Sequence, residues 1–160
     1  MSAASGPGGG SAATAADMVP ALQAALAAEH AAVYGYGVLG ARLRGAQRQN
    51  ARDVWDAHRA KRDRLSSFII TQKADPVAAA AAYRLPIRPT TTTSAVQLAA
   101  ALEDHVLAAY LGLAGVADPK VRRFAAQGMQ EAINRSVRWL GSAPTSAFPG
   151  MSKSAVSPAP

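Results

Sequence analysis

The chain has no cysteine, few strand-favouring residues, and only 10 acidic side chains among 160 residues. The missing cysteine excludes disulfides, thiolate metal sites, iron–sulfur clusters and a cysteine nucleophile, and leaves the compartment open. The scarcity of strand formers, set beside alanine at about a quarter of all positions, points to an all-helical domain. No run of about 18 consecutive apolar residues is present, so no membrane-spanning helix is expected. The opening stretch MSAASGPGGGSAATAAD has no basic region followed by an apolar core and is not read as a secretory signal. A cytoplasmic protein is the resulting expectation. Also absent are a Gly-rich phosphate loop, a nucleophile elbow and a paired-carboxylate hydrolase motif.

The shortage of acid leaves 17 Lys and Arg and a formal net charge of +7, with eight cations between Arg42 and Arg64. Such a cluster suits a nucleic-acid or acidic partner. It is interleaved with Asp53, Asp56 and Asp63 and lacks alternating aromatics, which reads instead as a solvated helix face.

What is present is a four-three spacing of apolar positions. Leu22, Leu26, Glu29, Val33, Tyr36, Gly40 and Leu43 share one helical stripe, and a glutamate lies in the middle of it. A buried carboxylate costs several kcal/mol unless it is paired, protonated or metal-bound. This first helix is expected from an Asp17 N-cap to about Gly45, with Pro20 in its first turn. Gly35, Gly37 and Gly40 imply close approach of another backbone or of a bulky ring. A second helix, about 47–73, places Ala51, Trp55, His58, Arg62, Leu65 and Ile69 on one stripe. Asp75-Pro76 is expected to open a short helix through about Tyr83, after which Pro86, Pro89 and the threonine run impose extended chain. Ser94 and Gln97 read as a capping box for a third helix ending near Gly115, with Ala99, Glu103, Val106, Tyr110 and Leu113 on one side. Asp118-Pro119 opens a fourth helix carrying Val121, Phe124, Ala125, Met129, Ala132, Val137 and Leu140, and Gly141 stops it. The organisation expected is a mobile arm over 1–16, a bundle over 17–141 and a tail over 142–160, with Phe148 folding back.

Glu29 and Tyr36 are seven residues apart on the first helix, as are Glu103 and Tyr110 on the third. Two turns separate each pair, so each tyrosine lies above its glutamate on the same face. Two such hairpins suggest a pseudo-symmetric bundle with its glutamates facing each other.

Two hairpins, a long crossover and inward glutamates resemble the ferritin-like superfamily of four-helix bundles. The segments AAEHAAVYGYGVLGARL, AHRAKRDRL, DPVAAAAAYRLP, LEDHVLAAY and AFPG look more closely like an uncharacterised, Ala-rich bacterial family within it. Ferritin-like metal proteins take one Glu from each of two helices and a Glu-x-x-His from each of the others. On that pattern Glu29 and Glu103 match the single-Glu positions. His58 falls at a histidine position, but Trp55 stands where its glutamate would be. The fourth helix offers Glu131 and Asn134 and no histidine.

Two readings of the core follow. One is a reduced site of Glu29, His58, Glu103 and Glu131 for iron or manganese, serving a metal-dependent oxidoreductase. The other is a buried polar network of Glu29, His58, Arg62, Glu103, Tyr36 and Tyr110 with no cofactor, in which Arg62 and a protonated His58 balance the two acids. The second is adopted: a degenerate di-metal site in a binding or structural module, whose partner is a second copy in a homodimer or an unknown protein. His30 and His105 read as boundary or exposed residues. Nucleic acid remains the third alternative.

Overall fold

A computed structural model describes residues 15–142. The expected arm, apart from its last two positions, and the expected tail after Ser142, with Phe148, lie outside the described residues. Four helices run in order: α1 (Ala15–Leu39), α2 (Gly45–Thr71), α3 (Thr92–Ala114) and α4 (Pro119–Leu140). No strand occurs among the described residues, and no helix there is long and apolar enough to cross a membrane.

The helix ends follow local chemistry. The Asp118 carboxylate accepts from the backbone amides of Lys120 at 2.7 Å and Val121 at 3.2 Å, so α4 starts where proline follows it. Gly141 closes the same helix at φ 67°, a left-handed conformation that favours glycine. The start of α3 is one turn earlier than the spacing suggests. Thr91 is its N-cap, and Thr91 and Ser94 cap each other, so Gln97 takes no part. Asp17 lies inside α1 rather than before it, which places Pro20 within the helix. The first helix also stops sooner than expected, with a single 3-10 turn over Gly40–Arg42 before α2 begins.

The α1–α2 and α3–α4 hairpins are joined by a crossover over residues 72–91. It contains no helix, contrary to the expectation for Asp75 to Tyr83. The alanine run there has high helix propensity, but helix–coil balance in so short a segment is weak. Bonds to α1 hold it extended instead. Gln23 donates to Asp75 O at 2.6 Å and accepts from Val77 N at 2.8 Å, and His30 Nε2 bonds Val77 O at 3.0 Å. His30 is thus a clasp for the crossover.

Two apolar clusters fill the interior. One surrounds Leu22, Leu26, Leu65, Ile69, Leu107, Tyr110 and Leu113, and the other surrounds Tyr36, Leu39, Leu43, Leu98, Leu102 and Trp139. Polar side chains occupy the space between them. Close helix contacts set their positions: a β-carbon on Gly35 would lie 2.5 Å from Leu102 Cδ1, so the glycine lets α3 approach α1. Nothing packs on Gly40, and Gly37 meets only Trp55 Nε1 at 4.0 Å, so close packing explains one of the three glycines.

Candidate functional site

Glu29 on α1, His58 on α2 and Glu103 on α3 are all fully buried, and the structure brings them into contact. His58 Nδ1 lies 2.6 Å from Glu29 Oε2, and His58 Nε2 lies 3.1 Å from Glu103 Oε1. Both ring nitrogens face carboxylate oxygens, which accept; an imidazole donates from both nitrogens only when protonated. Burial by itself pushes the His58 pKa down. Hydrogen bonds and charge from Glu103 and Glu29 outweigh that and hold it at about 9.

The tyrosines complete the network in a crossed pattern. Tyr36 on α1 donates to Glu103 Oε1 at 2.6 Å, and Tyr110 on α3 donates to Glu29 Oε1 at 2.6 Å. Each hydroxyl serves the glutamate of the other helix, not the one seven residues before it. Antiparallel packing explains this, because 29 pairs with 110 while 36 pairs with 103. Burial, then the adjoining carboxylate, raises both phenols well above their ordinary range, so both act as neutral donors.

Arg62 is not part of the network. Its guanidinium turns to the surface and pairs with Asp63 at 2.8 Å. The α2 stripe runs through Ala51, Val54, His58, Leu65 and Ile69, and a 3.6-residue period carries position 62 to the edge of it. The guanidinium beside the core is Arg135 on α4. Its Nη1 lies 3.9 Å from Glu103 Oε2, a buried oxygen with no hydrogen-bond partner among the described residues. Two buried acids thus face one imidazolium and one guanidinium.

Glu131 stands apart. It is half-buried, pairs with Lys61, and lies 3.3 Å from Arg135 Nη2. Partial burial raises its pKa, but Lys61 and then Arg135 more than offset this and hold it below the ordinary range. Asn134 and His105 are exposed. Trp55 is half-buried and donates from Nε1 to Val33 O at 3.0 Å. Among the described residues, no group of three or more His, Asp or Glu side chains is arranged to hold a metal ion.

Sequence reasoning misses three residues, all on α4. Trp139 Nε1 donates to the Tyr36 hydroxyl at 3.0 Å, Arg135 faces Glu103, and Gly128 makes room for Tyr110. The buried face of α4 is Val121, Ala125, Gly128, Ala132, Ser136 and Trp139, mostly small residues, while Leu140 is exposed. Reading the large apolar side chains as the stripe hides that face. The four-three spacing of 121, 125, 128, 132, 136 and 139 is the signal that finds it.

A β-carbon on Gly128 would sit 2.7 Å from Tyr110 Cδ1 and closer still to Cε1. Gly128→Ala should therefore move the ring that holds Glu29 and lower stability by about 1–3 kcal/mol. Gly112→Ala, where nothing lies within 4 Å, should instead stabilise by up to about 1 kcal/mol. Urea unfolding of both variants checks the contrast, and equal effects would refute it.

Fold and core together define an all-α four-helix bundle with a buried acid–histidine–tyrosine network. The chain belongs to the DUF4439 family, a domain of unknown function, whose profile matches residues 21–153. It is similar to the crystal structure of a conserved hypothetical protein, rv2844, from Mycobacterium tuberculosis. The two are 28% identical with a TM-score of 0.76, over 79% of this chain and 96% of that one. No curated protein matches.

Proposed function

We propose that the chain is a metal-free relative of the ferritin-like proteins that serves as a binding or structural module. In this reading the helical frame is kept, while the His58 imidazolium and the Arg135 guanidinium stand in for the cations of a dinuclear centre. The observation that carries it is the position of His58 between Glu29 and Glu103, with a carboxylate oxygen at each ring nitrogen.

The resemblance implies two metals held by four carboxylates and two histidines, and this donor set does not fit them. Glu29 and Glu103 approach opposite edges of one imidazole, so neither nitrogen is free to ligate while both bonds stand. Trp55 fills a ligand position and is bonded to Val33. Glu131 is held by Lys61 from α2 and by Arg135 from its own helix. The competing reading, an iron- or manganese-dependent oxidoreductase, needs His58 to release a carboxylate and Glu131 to leave both cations.

Elemental analysis of protein purified without chelator or metal resin separates the two. Metal-free protein is expected, with a melting temperature unchanged by chelator or by anaerobic Fe(II) or Mn(II). A metal at a hundred times its Kd would instead add about 3 kcal/mol of stability. One or two retained equivalents, lost in Glu29→Ala, would reject the proposal in favour of the enzyme.

A further inference from the structure

Away from the buried network, Arg64, Phe68, Lys120, Arg123, Phe124 and Gln127 line an open cleft of about 310 Å³ between α2 and α4. Three cations and no acid form its walls. None of the three is ion-paired among the described residues. The nearby acids are engaged elsewhere. Asp118 caps the amides of Lys120 and Val121, and Asp63 takes Arg62.

The placement of these cations runs against the preference of the helix that carries two of them. A helix N-terminus has partial positive charge and favours Asp or Glu in its first turn. The first turn of α4 holds no acid, while Lys120, Arg122 and Arg123 fall at or just beyond it. Arg122 has an internal use, since it donates to Val116 O at 3.0 Å and Ala117 O at 2.6 Å. Lys120 and Arg123 have none, and they face Arg64 from α2. Like charges gathered without internal partners oppose folding, which marks the cluster as serving something other than the fold.

Arg64 is also held in position. Its guanidinium carbon lies 4.6 Å from the centroid of Phe68, whose ring meets Phe124 edge-on at 5.5 Å. A guanidinium ordered over an aromatic face loses less freedom when it binds an anion.

We propose that this cleft binds a small, multiply charged phosphate anion through Arg64, Lys120 and Arg123. Its size and composition favour a compact anion over a polynucleotide. The remaining cations of the Arg42–Arg64 segment do not extend it into a track. Arg42 bonds Pro89 O, Arg59 pairs with Asp56, Lys61 with Glu131 and Arg62 with Asp63, while Arg44, Arg48 and Arg52 lie three or more helical turns before Arg64, on the order of 18 Å or more away along the chain. The three cations bond to no member of the buried network, so the proposal stands or falls separately from the metal question.

The test is calorimetric titration of the full chain with inorganic pyrophosphate at low ionic strength. Saturable one-to-one binding is expected, weakened about tenfold or more by Arg64→Ala or by Arg123→Ala. Arg48→Ala, remote from the cleft, should leave affinity unchanged. Arg123→Ala should keep or slightly raise the urea midpoint, because it removes like-charge repulsion without losing an ion pair; Arg64→Gln and Arg123→Gln serve where an alanine variant unfolds. No saturable binding at millimolar pyrophosphate overturns the proposal, as does undiminished binding in both arginine variants. Binding of oligothymidylate that pyrophosphate fails to displace overturns it in favour of a nucleic-acid surface.

Discussion

His58→Leu is expected to lower folding stability by about 3–5 kcal/mol, the cost of leaving buried charge without its partner. The substitution nearly conserves volume, so a cavity contributes little. What changes is electrostatic: Glu29 and Glu103 are fully buried and lose the one group that touches both. Tyr36 and Tyr110 remain as neutral donors, and Arg135 is 3.9 Å from one oxygen, too far for a direct hydrogen bond. The diagnostic partner is the triple variant Glu29→Gln, His58→Leu, Glu103→Gln. Neutral amides carry no unanswered charge, so the triple variant should recover much of the loss. Urea unfolding at neutral pH measures both. A His58→Leu loss below about 1 kcal/mol would refute the imidazolium account, and so would a triple variant no better than the single one.

The second large effect is on pH dependence. The groups facing His58 are Glu29 from α1 and Glu103 from α3, with Tyr36 and Tyr110 behind them and Arg135 from α4 beyond Glu103. Its folded pKa of about 9 stands above the ordinary value of 6.5. The folded chain therefore holds a proton that the unfolded chain has lost between those values. Stability from this group is fully present below about pH 6.5 and declines as pH rises through about 9. At about 1.4 kcal/mol for each pH unit, the whole decline is roughly 3 kcal/mol. Urea unfolding between pH 6 and 9.5 should show that slope in the wild type. His58→Gln, which cannot titrate, should be flatter by about the same amount. Parallel curves for the two proteins would mean that His58 is neutral in the folded state.

The parts of this structure most legible in the sequence are those decided within a few residues. Asp118, Pro119 and Gly141 bound α4 because a cap, a proline and a left-handed glycine act locally. Glu29 and Glu103 stand out because a carboxylate on an apolar stripe contradicts its surroundings wherever it occurs. The rest depends on distance. Arg62 shares a stripe with His58 by a four-three count, yet small drift over each turn moves it to the surface beside Asp63. Arg135 supplies the guanidinium from a helix some 70 positions away, and no spacing on α2 announces it. The crossover fails for a similar reason. Ala78 to Ala82 favour helix locally, while Gln23 and His30 on α1 hold the flanking backbone extended. Gly128 and Trp139 escape notice because α4 buries its small residues and one ring, and exposes Leu140.

The crossed tyrosines also determine how the two halves of the chain depend on each other. Neither hairpin supplies every donor to its own buried acid, because Glu29 takes Tyr110 as well as His58, and Glu103 takes Tyr36 and His58 from the other half. Sliding one hairpin along the other by a single turn would break both bonds at once, so the pair acts as a lock on register. The only covalent link between the halves is the extended strap over residues 72–91, and no bond of the lock runs through it. Severing the strap would leave two fragments, each carrying the donor that the other lacks. The core therefore ties α1–α2 to α3–α4 through side chains as firmly placed as the strap itself, and the alignment of the two halves is set in the interior.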